Sequence, residues 1–220
     1  MKKPEIDRQG IKIIHDSPYI SLYDLQYKGG KHYLNASRRS LGQLSAVKSD
    51  EEFKKMVPDA VSCIVIVRLP GKEPKLLLSK EFRYPVGQFV LSVPAGLIDL
   101  EDMDNTNPVL SAAAREIEEE TGIKVRESDK LEVINPLLFS TPGMTDESNA
   151  IALAVIDLED LSSLTQDGAV GMEFFDGFSL LGKEEAKEIL KGGYDESGNF
   201  YSVFTWIALA AFVSGLWEEF

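Results

Sequence analysis

Hydrophobic and polar positions alternate along much of this chain at the period of β-strands. Alternating segments at residues 11–14, 19–27 and 33–40 surround Gly29-Gly30, a glycine pair typical of a β-hairpin. Further downstream, apolar runs of strand length predict strands at residues 61–69, 75–82, 89–93, 131–139, 150–157 and 173–180. Two helices are predicted near residues 183–191 and 202–219. The polar stretch at residues 50–55 is interpreted as a turn or a short linker.

One more helix is predicted in the middle of the chain. Asn107 is a favourable N-cap, Pro108 suits the first helical position, and Gly122 suits the stop. Helices and strands that do not alternate regularly favour an α+β or layered α/β/α fold over a doubly wound parallel sheet. We divide the chain into an N-terminal β-rich element, residues 1–57, and a main domain, residues 58–220.

Composition agrees with one sizeable core and a small appended element, since the chain has 220 residues and is 44% hydrophobic. No apolar run approaches the ~18 residues of a membrane span, and no apolar stretch of a signal peptide follows the N-terminus. The apolar run 207–213 is expected to be a buried helix. Cys63, the only cysteine, is expected in the core of a cytoplasmic protein.

The chain is acidic, with 23 basic and 36 acidic residues and a formal net charge of −13. This charge argues against nucleic acid as a partner. An anionic nucleotide would therefore have to be attracted by bound metal and local arginines.

The strongest candidate for chemistry is the acidic end of the central helix. Glu116, Glu119 and Glu120 stand at i, i+3 and i+4, so their carboxylates share one helical face and repel each other. They also oppose the helix dipole, which favours cations at a C-terminus. Mg²⁺ binds carboxylate oxygens together with substrate phosphates. The face is either a metal site directed at phosphates or a solvated charged surface.

Residues 115–123 match every defined position at the end of the Nudix box, Gly-x5-Glu-x7-Arg-Glu-U-x-Glu-Glu-x-Gly-U, where U is a large aliphatic residue. Residues 93–99 resemble the strand and loop that open this box in ADP-ribose pyrophosphatases. Gly96 and Arg115 are nineteen positions apart where the pattern has fourteen. We place the five extra residues within residues 100–106, and Asn107 then occupies the position of the first glutamate.

The resemblance implies an α/β/α sandwich with a mixed sheet, preceded by a small N-terminal β element. It also implies Mg²⁺ or Mn²⁺ held by Glu116, Glu119 and Glu120 with the backbone carbonyl of Ala95. Such ions would bridge the substrate's phosphates and activate a water molecule. Arg115, four positions before Glu119, is expected to orient that ligand without touching substrate.

The segment at residues 81–87 is similar to one that precedes the box in ADP-ribose pyrophosphatases. The resemblance implies that Arg83 lies near the phosphates or the terminal ribose, where a guanidinium can donate two parallel hydrogen bonds. The alternative is a surface arginine paired with Glu81 or another acid.

Two further segments bear on the substrate. Residues 33–39 resemble a strand whose aromatic residue stacks on adenine, which implies a nucleotide-binding role for Tyr33 and Arg38; the alternative for Tyr33 is sheet packing. Residues 140–147 resemble a Ser-Pro-Gly-x-x-Asp-Glu segment, which places Pro142 and Gly143 near an ADP-ribose-type substrate. Without the family, Pro-Gly indicates only a turn.

The general base is predicted in the glycine-containing loop at residues 166–173. The resemblance favours Glu173, with Asp167 as the competitor and a solvated loop-end acid as the alternative. His15 and His32 are not expected to be catalytic, because no second metal-type ligand lies near either at a useful spacing.

Three functions follow from these observations. The first is hydrolysis of ADP-ribose or a related nucleoside diphosphate sugar, and the second is the same chemistry on another nucleoside diphosphate derivative or a dinucleotide. The third is a Nudix domain that binds such a ligand without catalysis, although the retained acidic cluster argues against it. The resemblance also implies a homodimer built through residues 1–57.

Overall fold

The computed structural model describes residues 3–169 and 171–220 and divides the chain into two compact units. The first unit comprises Met1–Asp59 and Leu137–Asn149, and the second comprises Ala60–Pro136 and Ala150–Phe220. Each unit therefore combines two separate stretches of the chain.

The first unit contains a three-stranded antiparallel sheet. Its strands are β1 (Lys12–His15), β2 (Ser21–Tyr27) and β3 (Lys31–Ser37), in that order. The connection between β2 and β3 uses Gly29 and Gly30 at φ of 88° and 75°, a region that side chains rarely tolerate. The predicted hairpin and small N-terminal β element are confirmed.

A small core under this sheet consists of Tyr23, Leu25, Leu44 and Val47. After it comes the helix α1 (Asp50–Lys54), where the sequence had suggested a turn or linker. That prediction was wrong because a capping box starts the helix. Ser49 accepts the backbone N–H of Glu52, and the Glu52 carboxylate accepts the backbone N–H of Ser49 at 2.7 Å.

The second unit contains most of a larger, mixed sheet. Its strands are β4 (Ala60–Arg68), β5 (Lys75–Arg83), β6 (Gln88–Ser92), β7 (Ala95–Leu97), β8 (Lys130–Phe139), β9 (Ser148–Asp157), β10 (Phe175–Leu181) and β11 (Phe200–Tyr201). The main order is β11-β6-β5-β4-β9-β8, with β10 paired to β5 and β7 paired to β4. β11 runs parallel to β6, whereas β5 is antiparallel to β4, β6 and β10.

Three helices complete the second unit: α2 (Pro108–Thr121), α3 (Lys183–Gly192) and α4 (Val203–Ser214). α2 packs against β4 and β7, and α4 packs against α3, β5 and β6. Every residue from Ala60 to Val67 is buried, so both faces of the sheet are covered there. The predicted layered α/β fold with a mixed sheet is confirmed.

The last helix is shorter than the predicted span of residues 202–219. Gly215, at φ of 81°, ends α4, and a separate 3-10 turn follows at Leu216–Glu218. No helix within the described residues is long and apolar enough to cross a membrane. Cys63 is fully buried with a free thiol.

Candidate active site

The central helix α2 begins and ends as its sequence predicts. Asn107 caps it by accepting the backbone N–H of Leu110 at 3.3 Å, Pro108 occupies the first turn, and Gly122 ends it at φ of 73°. The helix buries Glu116 and Glu120 almost completely, at 5% and 4% exposure. Buried charges require a compensating partner.

The short strand β7 lies directly against these two glutamates. Ala95 donates its backbone N–H to Glu120 Oε1 at 3.1 Å. At Gly96, a Cβ atom would lie 1.9 Å from Glu116 Oε1, so this close approach requires glycine. Among the described residues, Glu120 Oε2 is buried without a hydrogen-bond partner.

Burial dominates the electrostatics of both side chains. It raises the pKa of Glu116 to about 7, against the opposing charge and hydrogen bond of Arg115. Burial also raises the pKa of Glu120 well above its ordinary value; the Ala95 N–H opposes this shift, and the charge of Glu81 adds to it. A cation bound to both carboxylates would oppose these shifts, because it favours the charged form of each group.

Arg115 is the cation that the chain itself supplies to this cluster. Its Nη1 lies 2.7 Å from Glu116 Oε1 and 3.1 Å from Glu119 Oε2. Its Nη2 donates to the Leu97 carbonyl at 2.9 Å and to Asp102 Oδ2 at 3.0 Å. One guanidinium therefore fixes two of the three glutamates predicted as metal ligands and ties them to the loop that precedes α2.

Arg83 lies at the end of β5 and pairs with a buried acid. Its Nη2 is 2.7 Å from Glu81 Oε2, the pairing that the sequence offered as the alternative to a phosphate-binding role. Glu81 is only 7% exposed, and burial raises its pKa, although the charge of Arg83 and a hydrogen bond from Ser92 oppose the shift. The ion pair therefore joins an exposed arginine to a buried carboxylate.

Glu173, the predicted base, is exposed on the segment that enters β10. The next residue, Phe174, accepts the backbone N–H of Phe82 at 2.8 Å, which fixes this segment beside β5. The negative charge of Glu173 raises the pKa values of Glu116 and Glu120, so Glu173 lies within electrostatic reach of both.

Asp167, the competing candidate, is also exposed. Its backbone N–H donates to Thr165 Oγ1 at 3.1 Å, and the adjacent Gly168 packs against the backbone of Glu119. Val170, in the same predicted loop, lies outside the described residues. The charge of Glu173 acts on both Glu116 and Glu120, which favours Glu173 over Asp167.

The first unit contains a cavity of about 1010 Å³ with a largely apolar lining. Tyr33 and Pro142 line it, and the Tyr33 hydroxyl donates to the carbonyl of Gly143 at 2.8 Å. Asn35 and Asp146 also line it. Within the described residues, Asn35 Nδ2 and Asp146 Oδ1 are buried without hydrogen-bond partners.

Arg38 is placed differently from the other residues predicted to bind substrate. It follows β3 and pairs through Nε with Glu147 at 2.6 Å, and it is not among the described residues that line the cavity. The structure thus brings Tyr33, Pro142 and Gly143 together but does not bring Arg38 to them. The neighbouring Arg39, which the sequence did not single out, is the more buried of the two arginines.

Residues 56–187 match the family model of the NUDIX domain. The chain belongs to the Nudix family. The matched range contains β4 to β7, the helix α2 with its glutamates, and the segment that carries Glu173. The predicted family is therefore confirmed.

Several similar proteins carry names of Nudix hydrolases or of pyrophosphatases. An ADP-ribose pyrophosphatase of Saccharomyces cerevisiae is 31% identical over 81% of this chain and 72% of its own length. An ADP-sugar pyrophosphatase of Mus musculus is 31% identical over 56% of this chain. An uncharacterized Nudix hydrolase of Schizosaccharomyces pombe is 37% identical over 46% of it. This chain spans only about half of the mouse protein (52%) and less of the fission yeast protein (44%).

A solved structure shares the fold. The crystal structure of an ADP compounds hydrolase covers 98% of this chain and 97% of its own, with a TM-score of 0.56 and 16% sequence identity. At this identity, the likeness establishes the architecture alone.

Asp102 is a residue of the Nudix box that sequence reasoning missed. It is almost fully buried in a 3-10 turn, where it accepts hydrogen bonds from Arg115 and Ser111 and from the backbone N–H of Asp99. Counting six positions forward from Gly96 reaches Asp102, an acid where the box has glutamate. Eight positions before Arg115 the chain has Asn107 instead, and Asn107 caps α2.

The chemistry of the box suits a hard divalent cation, although the side chains are not already arranged around one. In the described part of the chain, no three His, Cys, Asp or Glu side chains form a group that could hold a metal ion. Arg115 lies between Glu116 and Glu119 instead. The donors are nevertheless all oxygens, and among the described residues Glu120 Oε2 is a buried oxygen without a hydrogen-bond partner, which such a cation could bind.

Proposed function

We propose that this protein hydrolyses the diphosphate bond of ADP-ribose or a related nucleoside diphosphate sugar, releasing a nucleoside monophosphate and a sugar phosphate. The observation that carries the proposal is the pair of buried carboxylates, Glu116 and Glu120, held against β7 on the Nudix box helix. The names of the yeast and mouse relatives support the substrate class.

Nudix hydrolases generally use divalent metal ions, and we propose Mg²⁺ or Mn²⁺ here. Glu116, Glu119, Glu120 and the backbone carbonyl of Ala95 would hold the cation. When bound, it would neutralise charge on the diphosphate and lower the pKa of a coordinated water. Arg115 would keep the Glu116 and Glu119 side chains oriented, as its contacts at 2.7 and 3.1 Å indicate.

Glu173 is our candidate for the general base. Its segment is fixed beside β5, and its charge acts on the same glutamates that would hold the metal. A Glu173→Gln variant should lower kcat by roughly a hundredfold or more, the usual contribution of a positioned base. Asp167→Asn is the matched comparison. A larger loss in Asp167→Asn than in Glu173→Gln would transfer the role to Asp167.

The substrate contacts form a separate part of the proposal. We infer that the cavity lined by Tyr33 and Pro142, with Gly143 bonded at its edge, takes the nucleoside group. Arg83 would contact the diphosphate. Arg38 would help to hold the nucleotide by exchanging its partner Glu147 for the ligand, because its side chain remains partly exposed.

The deciding experiment incubates the protein with ADP-ribose and Mg²⁺ or Mn²⁺, beside a Glu120→Gln variant, and measures AMP by chromatography. Turnover by the wild type, with near-total loss in the variant, is the expected result. Binding of ADP-ribose without turnover would instead identify a ligand-binding Nudix domain. A panel of adenosine, guanosine and uridine diphosphate sugars and a dinucleotide would define the preferred substrate.

We also propose a homodimer in the cytoplasm. Light scattering on the purified protein tests the dimer, and a monomer at micromolar concentration would contradict it. Fractionation of source cells with a specific antibody tests the compartment, and recovery of the protein with membranes or organelles would contradict the proposal.

A further inference from the structure

Glu81 faces the same side of the sheet as the box helix. Leu77, on the same strand, belongs to the core cluster that includes Ala113 and Ile117 of α2. Alternate residues of a strand point to the same face, so Ser79 and Glu81 follow Leu77 toward α2. Glu81 therefore adds a third buried carboxylate to the face occupied by Glu116 and Glu120.

A buried carboxylate among others of like charge is unfavourable unless a cation pairs with it. Glu81 is 7% exposed and has two favourable partners: the guanidinium of Arg83 at 2.7 Å and the hydroxyl of Ser92. Arg83 is two residues further along the same strand, so both side chains leave the strand on one face. The geometry of β5 therefore holds the two side chains side by side.

Arg83 is left with capacity for a ligand. Its side chain is 47% exposed, and a guanidinium carries five N–H donors, more than one carboxylate can accept. A free arginine samples many rotamers, and ordering it on binding reduces affinity. An acid that holds the guanidinium in place beforehand removes part of this entropy loss.

We propose that Glu81 is a positioning residue for the diphosphate: it anchors Arg83 on the face of the sheet that carries Glu116 and Glu120, so that the remaining guanidinium donors meet the substrate's phosphate oxygens. This rests on the proposed function, and it gives a role to an acid that the sequence offered only as a surface partner of Arg83.

A double-mutant cycle in the full chain tests the role of Glu81. Glu81→Gln, Arg83→Ala and the double variant are compared with the wild type for kcat and KM on ADP-ribose. Arg83→Ala should raise KM by roughly ten- to a hundredfold, the usual range for a lost charged hydrogen bond. Glu81→Gln should raise KM by a smaller factor with kcat little changed. The double variant should match Arg83→Ala alone.

Lys80→Gln, on the same strand but pointing to the other face, is the matched control and should leave KM unchanged. Thermal unfolding checks that each variant is folded. If Glu81→Gln does not fold, Ser92→Ala replaces it, because that change removes only the hydroxyl that supports Glu81. Ser92→Ala should raise KM by a smaller factor than Arg83→Ala does, and this increase should vanish in the Arg83→Ala background.

Independent effects in the cycle, or a fall in kcat with unchanged KM in Glu81→Gln, would overturn the positioning role while leaving the hydrolase intact. A wild type that turns over none of the substrate panel would overturn the proposed function itself. The two failures are therefore distinguishable.

Discussion

Asp102 and Arg115 form a partly buried ion pair, 3.0 Å from Oδ2 to Nη2, that links the two halves of the Nudix box. Through the other nitrogen of its guanidinium, Arg115 contacts both Glu116 and Glu119. The loop before α2 therefore controls the orientation of two glutamates on the helix without touching them. An acid five positions farther from Arg115 than the box pattern requires still reaches it, because the intervening residues turn back through the 3-10 turn.

Replacing Asp102 by Asn should destabilise the protein by about 1–3 kcal/mol at neutral pH, since it removes the charge of one of the two buried acids that pair with Arg115. It should also lower kcat, because Glu116 and Glu119 lose their fixed orientation. Urea unfolding and AMP release measure the two effects. Asp104→Asn, an exposed position in the same 3-10 turn, should leave both quantities unchanged.

The stability difference between wild type and Asp102→Asn should depend on pH. Burial by itself would raise the pKa of Asp102, but hydrogen bonds from the Asp99 N–H, Arg115 and Ser111 outweigh it and lower the pKa. A depressed folded-state pKa gives stability that is present above the unfolded-state value and lost as pH falls through the folded one. The difference should therefore shrink on acidification below pH 4. A constant difference down to pH 2 would contradict this account.

Mg²⁺ or Mn²⁺ should stabilise the protein through the box glutamates. At a hundredfold excess over the dissociation constant, the melting temperature should rise on the order of 5–10 °C, and a chelator should reverse the shift. Glu120→Gln should abolish most of the shift, because it removes the charge of a proposed metal ligand. Glu118→Gln, on the exposed side of α2, serves as the control. An equal shift in both variants would place the cation elsewhere.

Gly96→Ala should impair catalysis by displacing Glu116. The new methyl group would lie 1.9 Å from Glu116 Oε1, so the carboxylate must move. A displacement of about 1 Å in a reacting group can reduce the rate a hundredfold. Overpacking should also reduce the free energy of unfolding by about 1–3 kcal/mol. Gly42→Ala is the control, because nothing lies within 4 Å of a Cβ there. Wild-type kcat in Gly96→Ala would show that Glu116 is not needed at its present position.

The ring and the hydroxyl of Tyr33 should contribute separately to nucleotide binding. Tyr33→Ala should weaken AMP binding by roughly tenfold or more, the usual loss when an aromatic platform under a base is removed. Tyr33→Phe keeps the ring and removes only the hydrogen bond to the Gly143 carbonyl, so it should bind AMP nearly as the wild type does. Isothermal calorimetry measures both variants. Equal losses of affinity in both variants would assign the effect to the hydrogen bond with the Gly143 carbonyl and not to the ring.

The elements that the sequence predicted well are those specified by local signals. Asn107, Pro108 and Gly122 determine α2 through contacts within one turn, and Gly29-Gly30 determines the hairpin by backbone geometry alone. The box glutamates could be assigned to one face because helical spacing is fixed. These features depend on neighbours in sequence.

The features that the sequence did not predict depend on distant contacts or on where a gap is placed. Asp102 was missed because the sequence alone does not show whether the five extra residues precede or follow the first acid of the box. The hydrogen bond from Arg115 to Asp102 indicates that they follow it. The α1 helix was missed because its capping box lies in a short polar stretch without a helical apolar period. The burial of Glu81 could not be read from an alternating strand, where an acid usually points to solvent.

Arg39 has a consequence for how the chain folds. Its guanidinium donates to Asp59 at 2.6 Å, to Ser45 at 2.6 Å and to Ser148 at 3.0 Å. During synthesis, the ribosome releases residues 3–59 long before Ser148 emerges, so Arg39 lacks this partner, 109 positions further along the chain, until then. The first unit can therefore reach its final hydrogen bonding only after residues 60–136 of the second have been made, and loop closure on this scale slows folding. A fragment that ends at residue 59 should collapse without a unique structure.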